Sequence, residues 1–129
     1  MKRIGCLGLA VVMVVAFAVL VRAARDFRGE GDEFAGRIVL EDMRFAPNRI
    51  EAEVGVPLRV QLTNRGTERH DLSFQSLHMP GLEGVEAILE PGESRTITLT
   101  FDEPGTHTFV CSVPGHAAAG MTGAAFVSG

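Results

Sequence analysis

Apolar and polar residues alternate in several short segments from Arg37 onward. The clearest segments are residues 58–63, 70–75, 96–101 and 107–111. Successive side chains of a strand point to opposite faces of a sheet, so this period predicts strands that are buried on one face. Turn residues such as Asn-Arg-Gly at 64–66 and Pro-Gly at 104–105 separate the segments. The pattern therefore predicts an all-β domain, a Greek-key antiparallel β-sandwich with little helix.

The N-terminus carries a different pattern, a continuous apolar run at residues 4–21 that follows Lys2 and Arg3. Two interpretations stay open: a signal peptide cleaved after Ala23, or an uncleaved signal anchor that tethers the chain to a membrane. The run is about 18 residues long, at the short end of a membrane span and longer than most signal-peptide cores, which slightly favours the anchor. Both interpretations place the remaining chain outside the cytoplasm, in a periplasm or at the cell surface.

These patterns predict three parts. Residues 1–23 form the targeting segment, residues 24–36 form a charged, glycine-containing linker, and residues 37–129 form the folded domain. A chain of 129 residues with 46% apolar composition is expected to build one core. Without residues 1–23 the chain keeps nine basic and 16 acidic residues, which disfavours nucleic acid as a partner.

Cysteine content gives the first chemical indication. The chain has two cysteines, and one of them, Cys6, lies inside the targeting segment. Cys111 is therefore the only thiol of the exported domain and has no partner in the same chain for a disulfide. Metal ligation is one reason to keep such a thiol.

Cys111, His116 and Met121 follow one another at intervals of five residues, between two predicted strands. Cys111 shares its strand face with Phe109 and is expected to point inward. His70 has the same parity as the apolar residues that follow it, and is the best candidate for a fourth ligand. Two imidazoles, a thiolate and a thioether form a donor set that suits copper better than zinc, because zinc rarely recruits methionine.

The stretches "PGTHTFVCSVPGH" and "AGMTGAAFV" resemble the C-terminal copper loop of the cupredoxins, the small blue copper proteins of the plastocyanin and azurin type. The stretch "TERHDLSF" is similar to their upstream histidine strand, and the resemblance covers residues 37–129. The spacing Cys-x4-His-x4-Met is closest to rusticyanin-like or auracyanin-like loops. The resemblance implies one type 1 copper per chain, held by His70, Cys111, His116 and Met121, in a monomeric electron-transfer protein that is not an enzyme.

Some residues depart from the family pattern. Asp71 stands where the family often has Asn, Arg69 stands where azurins have a Gly with a carbonyl near the metal, and Val110 replaces an exposed aromatic residue. His78 and His107 are expected to lie outside the copper site, as a loop residue and a core or rim residue. Paired acids such as Glu41 and Asp42 are expected to be solvated.

Residues 104–129 contain no charged side chain, which predicts an apolar face around His116 on which a redox partner docks. The imidazole of His116 is expected to reach the surface there, and that of His70 to be buried. Copper storage or delivery is the alternative function. A copper enzyme would need a second copper with its own ligands, and the chain has four histidines.

Overall fold

The computed structural model describes residues 36–129, and eight strands form most of the regular structure there. The strands are β1 (Gly36–Glu41), β2 (Arg44–Ala46), β3 (Arg49–Glu53), β4 (Leu58–Asn64), β5 (Ser73–Phe74), β6 (Ser94–Leu99), β7 (Gly105–Val110) and β8 (Thr122–Ser128). A short 3-10 turn, Val85–Ala87, lies between β5 and β6. The predicted all-β architecture is confirmed.

The strands form two four-stranded sheets, in the orders β2-β1-β4-β6 and β3-β8-β7-β5. The predicted sandwich is therefore confirmed, but its pairing is mixed rather than purely antiparallel, since β1 pairs parallel with β4 and β3 pairs parallel with β8. The chain changes sheets between β2 and β3, which brings β3 beside the last strand. Alternating polarity specifies which face of a strand is buried and carries no information about the direction of its neighbour, so the sequence could not predict these two pairs.

The alternating segments bury the faces that the sequence predicted. Val60 and Leu62 of β4 point into the core, as do Ala125 and Val127 of β8. Edge-to-face aromatic contacts cross the core, with ring centroids 5.1–5.6 Å apart, and involve Phe45, Phe74, Phe101 and Phe109. Aromatic pairs favour this geometry, and the packing joins the two sheets across the core.

The segment at residues 70–75 is less regular than predicted, because only Ser73 and Phe74 form a strand. His70 instead makes an isolated bridge with Leu89, in which each backbone N–H donates to the carbonyl of the other residue, at 3.1 and 2.8 Å. This bridge fixes the backbone of His70 at the end of the sandwich where β7 ends and β8 begins.

The predicted targeting segment and nearly all of the linker lie outside the described residues. Across residues 36–129 we find no helix with the length and apolar character needed to cross a membrane.

Candidate metal centre

The segment from Cys111 to Met121 is a closed loop between β7 and β8. The ladder of these two strands ends at the pair of Val110 and Thr122. Beyond it, the N–H of Cys111 donates to the carbonyl of Met121 and the N–H of Met121 donates to the carbonyl of His116, both at 3.1 Å. The backbone thus ties together the three residues that the sequence predicted as ligands from this loop.

Three donor atoms converge beneath this loop. The Nδ1 atoms of His70 and His116 are 3.1 Å apart, and the Sγ atom of Cys111 lies 3.9 Å from the first and 3.5 Å from the second. All three side chains are buried. Among the residues that the structure describes, this is the only group of three or more His, Cys, Asp or Glu side chains placed to share a metal ion.

A carboxylate lies against the outer nitrogen of each imidazole. The Nε2 atom of His70 is 3.0 Å from Asp42 Oδ1, and the Nε2 atom of His116 is 3.0 Å from Glu68 Oε2. An ionised carboxylate only accepts hydrogen bonds, so both Nε2 atoms donate. In neutral imidazoles the Nδ1 lone pairs then face each other and the sulfur across 3.1–3.9 Å. Such an arrangement of lone pairs favours a cation between them.

The Asp42 carboxylate is held firmly in this role. It accepts hydrogen bonds from the backbone N–H of Thr67 at 2.9 and 3.0 Å, from its hydroxyl at 2.7 Å and from the N–H of Glu68 at 3.2 Å. The bonds from Thr67, and then the bond from His70, hold the pKa of the Asp42 carboxyl well below its usual range. Gly66 leaves room for this contact, since a Cβ there would lie 2.3 Å from Asp42 Oδ1.

The donor triangle fits a small metal ion. The point in its plane that is equidistant from the three atoms lies about 2 Å from each, close to the metal–nitrogen and metal–sulfur distances found in proteins. Two imidazoles and one thiolate in a trigonal arrangement are the ligands of blue-copper sites, which add a weak axial ligand such as methionine. The side chain of Met121 is fully buried, and its role as the axial ligand stays a prediction.

The Cys111 sulfur also receives hydrogen bonds from the backbone. Burial raises the pKa of the Cys111 thiol, while the N–H groups of Asp71 and Val113 act in the opposite direction by donating to the sulfur. The buried carboxylate of Asp71 accepts from the N–H of Ser112 at 2.6 Å and from its hydroxyl. Asp71 therefore joins the His70 segment to the start of the loop between β7 and β8.

The other two histidines lie where the sequence predicted, away from the cluster. His78 is exposed in a loop, with its Nδ1 2.5 Å from Glu83. His107 is partly buried, stacks on Phe101 with ring centroids 5.5 Å apart, and has its Nε2 3.0 Å from the Glu103 carbonyl. Both imidazoles thus have structural partners.

The expectation that His116 reaches the surface is wrong, because His116 is only 4% exposed. Its outer edge lies against Glu68, a contact that sequence reasoning missed. Asp42 was also missed, since it was expected to be solvated. Glu68 lies two residues before His70 in the chain, but nothing local indicates that its side chain reaches across to His116.

Fold and site together define a small β-sandwich with a buried His–Cys–His cluster, the donor set that blue-copper sites use. The family model described as "Cupredoxin-like domain" matches residues 9–122, and the chain belongs to this family.

Individual proteins agree with this assignment. The chain is 25% identical to the copper-resistant cuproprotein CopI of Pseudomonas aeruginosa, over 67% of this chain and 71% of CopI. It superimposes on the dithionite-reduced auracyanin of the photosynthetic bacterium Roseiflexus castenholzii with a TM-score of 0.63 and 22% identity, over 77% of this chain and all of that one. A multicopper oxidase gives a TM-score of 0.61 and 26% identity, over 71% of this chain but 41% of the oxidase.

Proposed function

We propose that this domain is a type 1 (blue) copper protein that carries single electrons between redox partners outside the cytoplasm. The observation that carries the proposal is the buried triangle of two imidazole nitrogens and a cysteine sulfur, with both imidazoles oriented by carboxylates. His70, Cys111 and His116 would hold one copper, with Met121 as the axial ligand. Copper bound there supplies a one-electron couple.

The protein holds these donors in place before copper binds. His70 is fixed by its bridge to Leu89, and Cys111 and His116 are fixed by the loop bonds to Met121. Since the donors are buried in a packed core, they have little freedom to rearrange when the charge of the ion changes. Small rearrangement is what rapid electron transfer requires, and hydrogen bonds to the sulfur adjust the potential.

A carrier function without catalysis is consistent with the number of available ligands. Two of the four histidines belong to the proposed site, and within residues 36–129 the other two contact Glu83 and Glu103. No second set of imidazoles is therefore available in this chain for a catalytic copper. The location outside the cytoplasm rests on the apolar run at residues 4–21, and the redox partner is proposed to dock at the charge-free loop around His116.

Substitution of the thiol tests the proposal. Cu(II) added to the full chain should give intense visible absorption from thiolate charge transfer, and Cys111→Ser should abolish it while far-ultraviolet circular dichroism shows an intact sandwich. His78→Ala is the matched control and should keep the colour, because His78 lies outside the cluster. Colour that persists in Cys111→Ser, or a colourless wild type, would contradict the copper–thiolate site.

Copper storage or delivery is the second candidate, and two observations favour it. One of the proteins that the chain resembles is the copper-resistant cuproprotein CopI, and the outer edge of His116 is covered by Glu68. A delivery protein would transfer copper to an acceptor faster than it exchanges electrons. Comparing the rate of copper transfer to a chelator with the rate of electron self-exchange therefore distinguishes the two functions.

A further inference from the structure

The carboxylate of Glu68 lies at the outer edge of the His116 ring. Its Oε2 lies 3.0 Å from the Nε2 of His116. Although residues 104–129 carry no charge, this carboxylate from a distant loop puts an anion at the outer edge of the ring. The outer edge of the imidazole is thus covered by the Glu68 carboxylate, so the surface there is charged and not purely apolar.

The backbone of Glu68 is held from two sides, whereas its side chain is exposed to solvent and contacts His116. The N–H of Glu68 donates to Asp42 Oδ1 at 3.2 Å, and its carbonyl accepts from the amide of Asn64 at 2.8 Å. Asn64 is fully buried, but the Glu68 side chain remains 55% exposed. The fixed backbone places the carboxylate on His116, and the solvent on its exposed side leaves room for the side chain to move away.

We propose that Glu68 is a positioning residue that acts as a removable cap on His116. The cap keeps the proton on Nε2, so that Nδ1 faces the donor cluster, and it closes the outer edge of the ring. Copper can leave or enter past His116 only after the carboxylate has moved away. The inference rests on the proposed copper site, because a cap matters only if the cluster holds a metal.

Copper release measures the cap directly. The full chain loaded with Cu(I) is mixed with excess bicinchoninate, and the rate of copper transfer is followed by absorbance. Groups that orient metal-bound histidines contribute about 10–100-fold to metal affinity, so Glu68→Ala should accelerate transfer tenfold or more. Glu68→Gln keeps the side-chain length and an acceptor oxygen, and should stay near the wild-type rate.

Glu53→Ala is the matched control. Glu53 is an exposed glutamate paired with Ser128, at the end of β8 that is farthest from the loop after Cys111. This variant should leave the transfer rate within twofold of wild type. An acceleration below tenfold in Glu68→Ala, or equal acceleration in the Ala and Gln variants, would overturn the cap.

A measurement on the metal-free chain separates failure of the cap from failure of the copper function. Long-range proton–nitrogen NMR correlations report the tautomer of each imidazole, and metal-free wild type should show His116 protonated at Nε2. Glu68→Ala should lose this preference, while His70 keeps its own because Asp42 is untouched. If His116 of the wild type is protonated at Nδ1, the cap is wrong whatever the chain does with copper.

Discussion

Among single residues, Val113 has the most specific role to test, because its backbone N–H donates to the Cys111 sulfur. A hydrogen bond to a thiolate stabilises the electron-rich reduced site more than the oxidised one. Val113→Pro removes this donor and should lower the reduction potential. A difference of about 1 kcal/mol between the two oxidation states corresponds to roughly 40 mV for one electron.

Voltammetry of the copper-loaded chain measures this shift. Val113→Ala is the control, since it trims the side chain and keeps the N–H, and its potential should stay near that of the wild type. An unchanged or raised potential in the proline variant, with the visible spectrum intact, would show that the bond does not tune the site.

At the level of elements, the loop that follows β4 depends on one buried amide. Asn64, the last residue of β4, donates to the carbonyls of Glu68 and Leu89 at 2.8 and 2.9 Å and accepts from the N–H of Gly66 at 2.8 Å. It therefore connects the loop that carries Glu68 to the backbone that pairs with His70.

Asn64→Ala should destabilise the domain by about 2–3 kcal/mol, because it removes a buried side chain together with its three hydrogen bonds. Urea unfolding of the metal-free chain measures this free energy. Thr63→Ala is the neighbouring control and should cost less than 1 kcal/mol, since its hydroxyl bonds only to Ser94 in an exposed contact. Equal losses in the two variants would mean that the Asn64 bonds do not stabilise the loop.

The same elements show which parts of the site the sequence can predict. Cys111, His116 and Met121 lie within one loop, so their spacing and the strand parity around them were enough to bring them together. Asp42 and Glu68 contact the imidazoles only because the loop after β4 packs against the β1–β2 turn. No period or motif in the sequence indicates that contact. Neither the positions of the two carboxylates nor the burial of His116 could therefore be predicted.

For the whole molecule, copper is expected to act as a ligand that stabilises the folded state. A ligand that binds only the native state adds about 2.7 kcal/mol when its concentration is one hundred times the Kd. For a domain of this size the Tm should rise by about 10–20 °C. Differential scanning calorimetry of the chain with and without copper measures the shift, and Cys111→Ser should show much less of it. An equal rise in Cys111→Ser would indicate binding elsewhere.

The sandwich as a whole was predictable and its strand order was not. Periodic burial at β4, β6, β7 and β8 is a local property of the chain, and one buried face per strand requires a second layer. The parallel pairing of β3 with β8 joins residues more than 70 positions apart, and no local pattern encodes it.

The pairing of β3 with β8 also determines when the site can form during biosynthesis. The last strand, β8, lies between β3 and β7 and directly follows Met121. A growing chain that lacks β8 has no partner for β3 and no second strand to close the loop after Cys111. The donors can therefore come together only once β8 has been made, and copper insertion has to follow the synthesis of that strand.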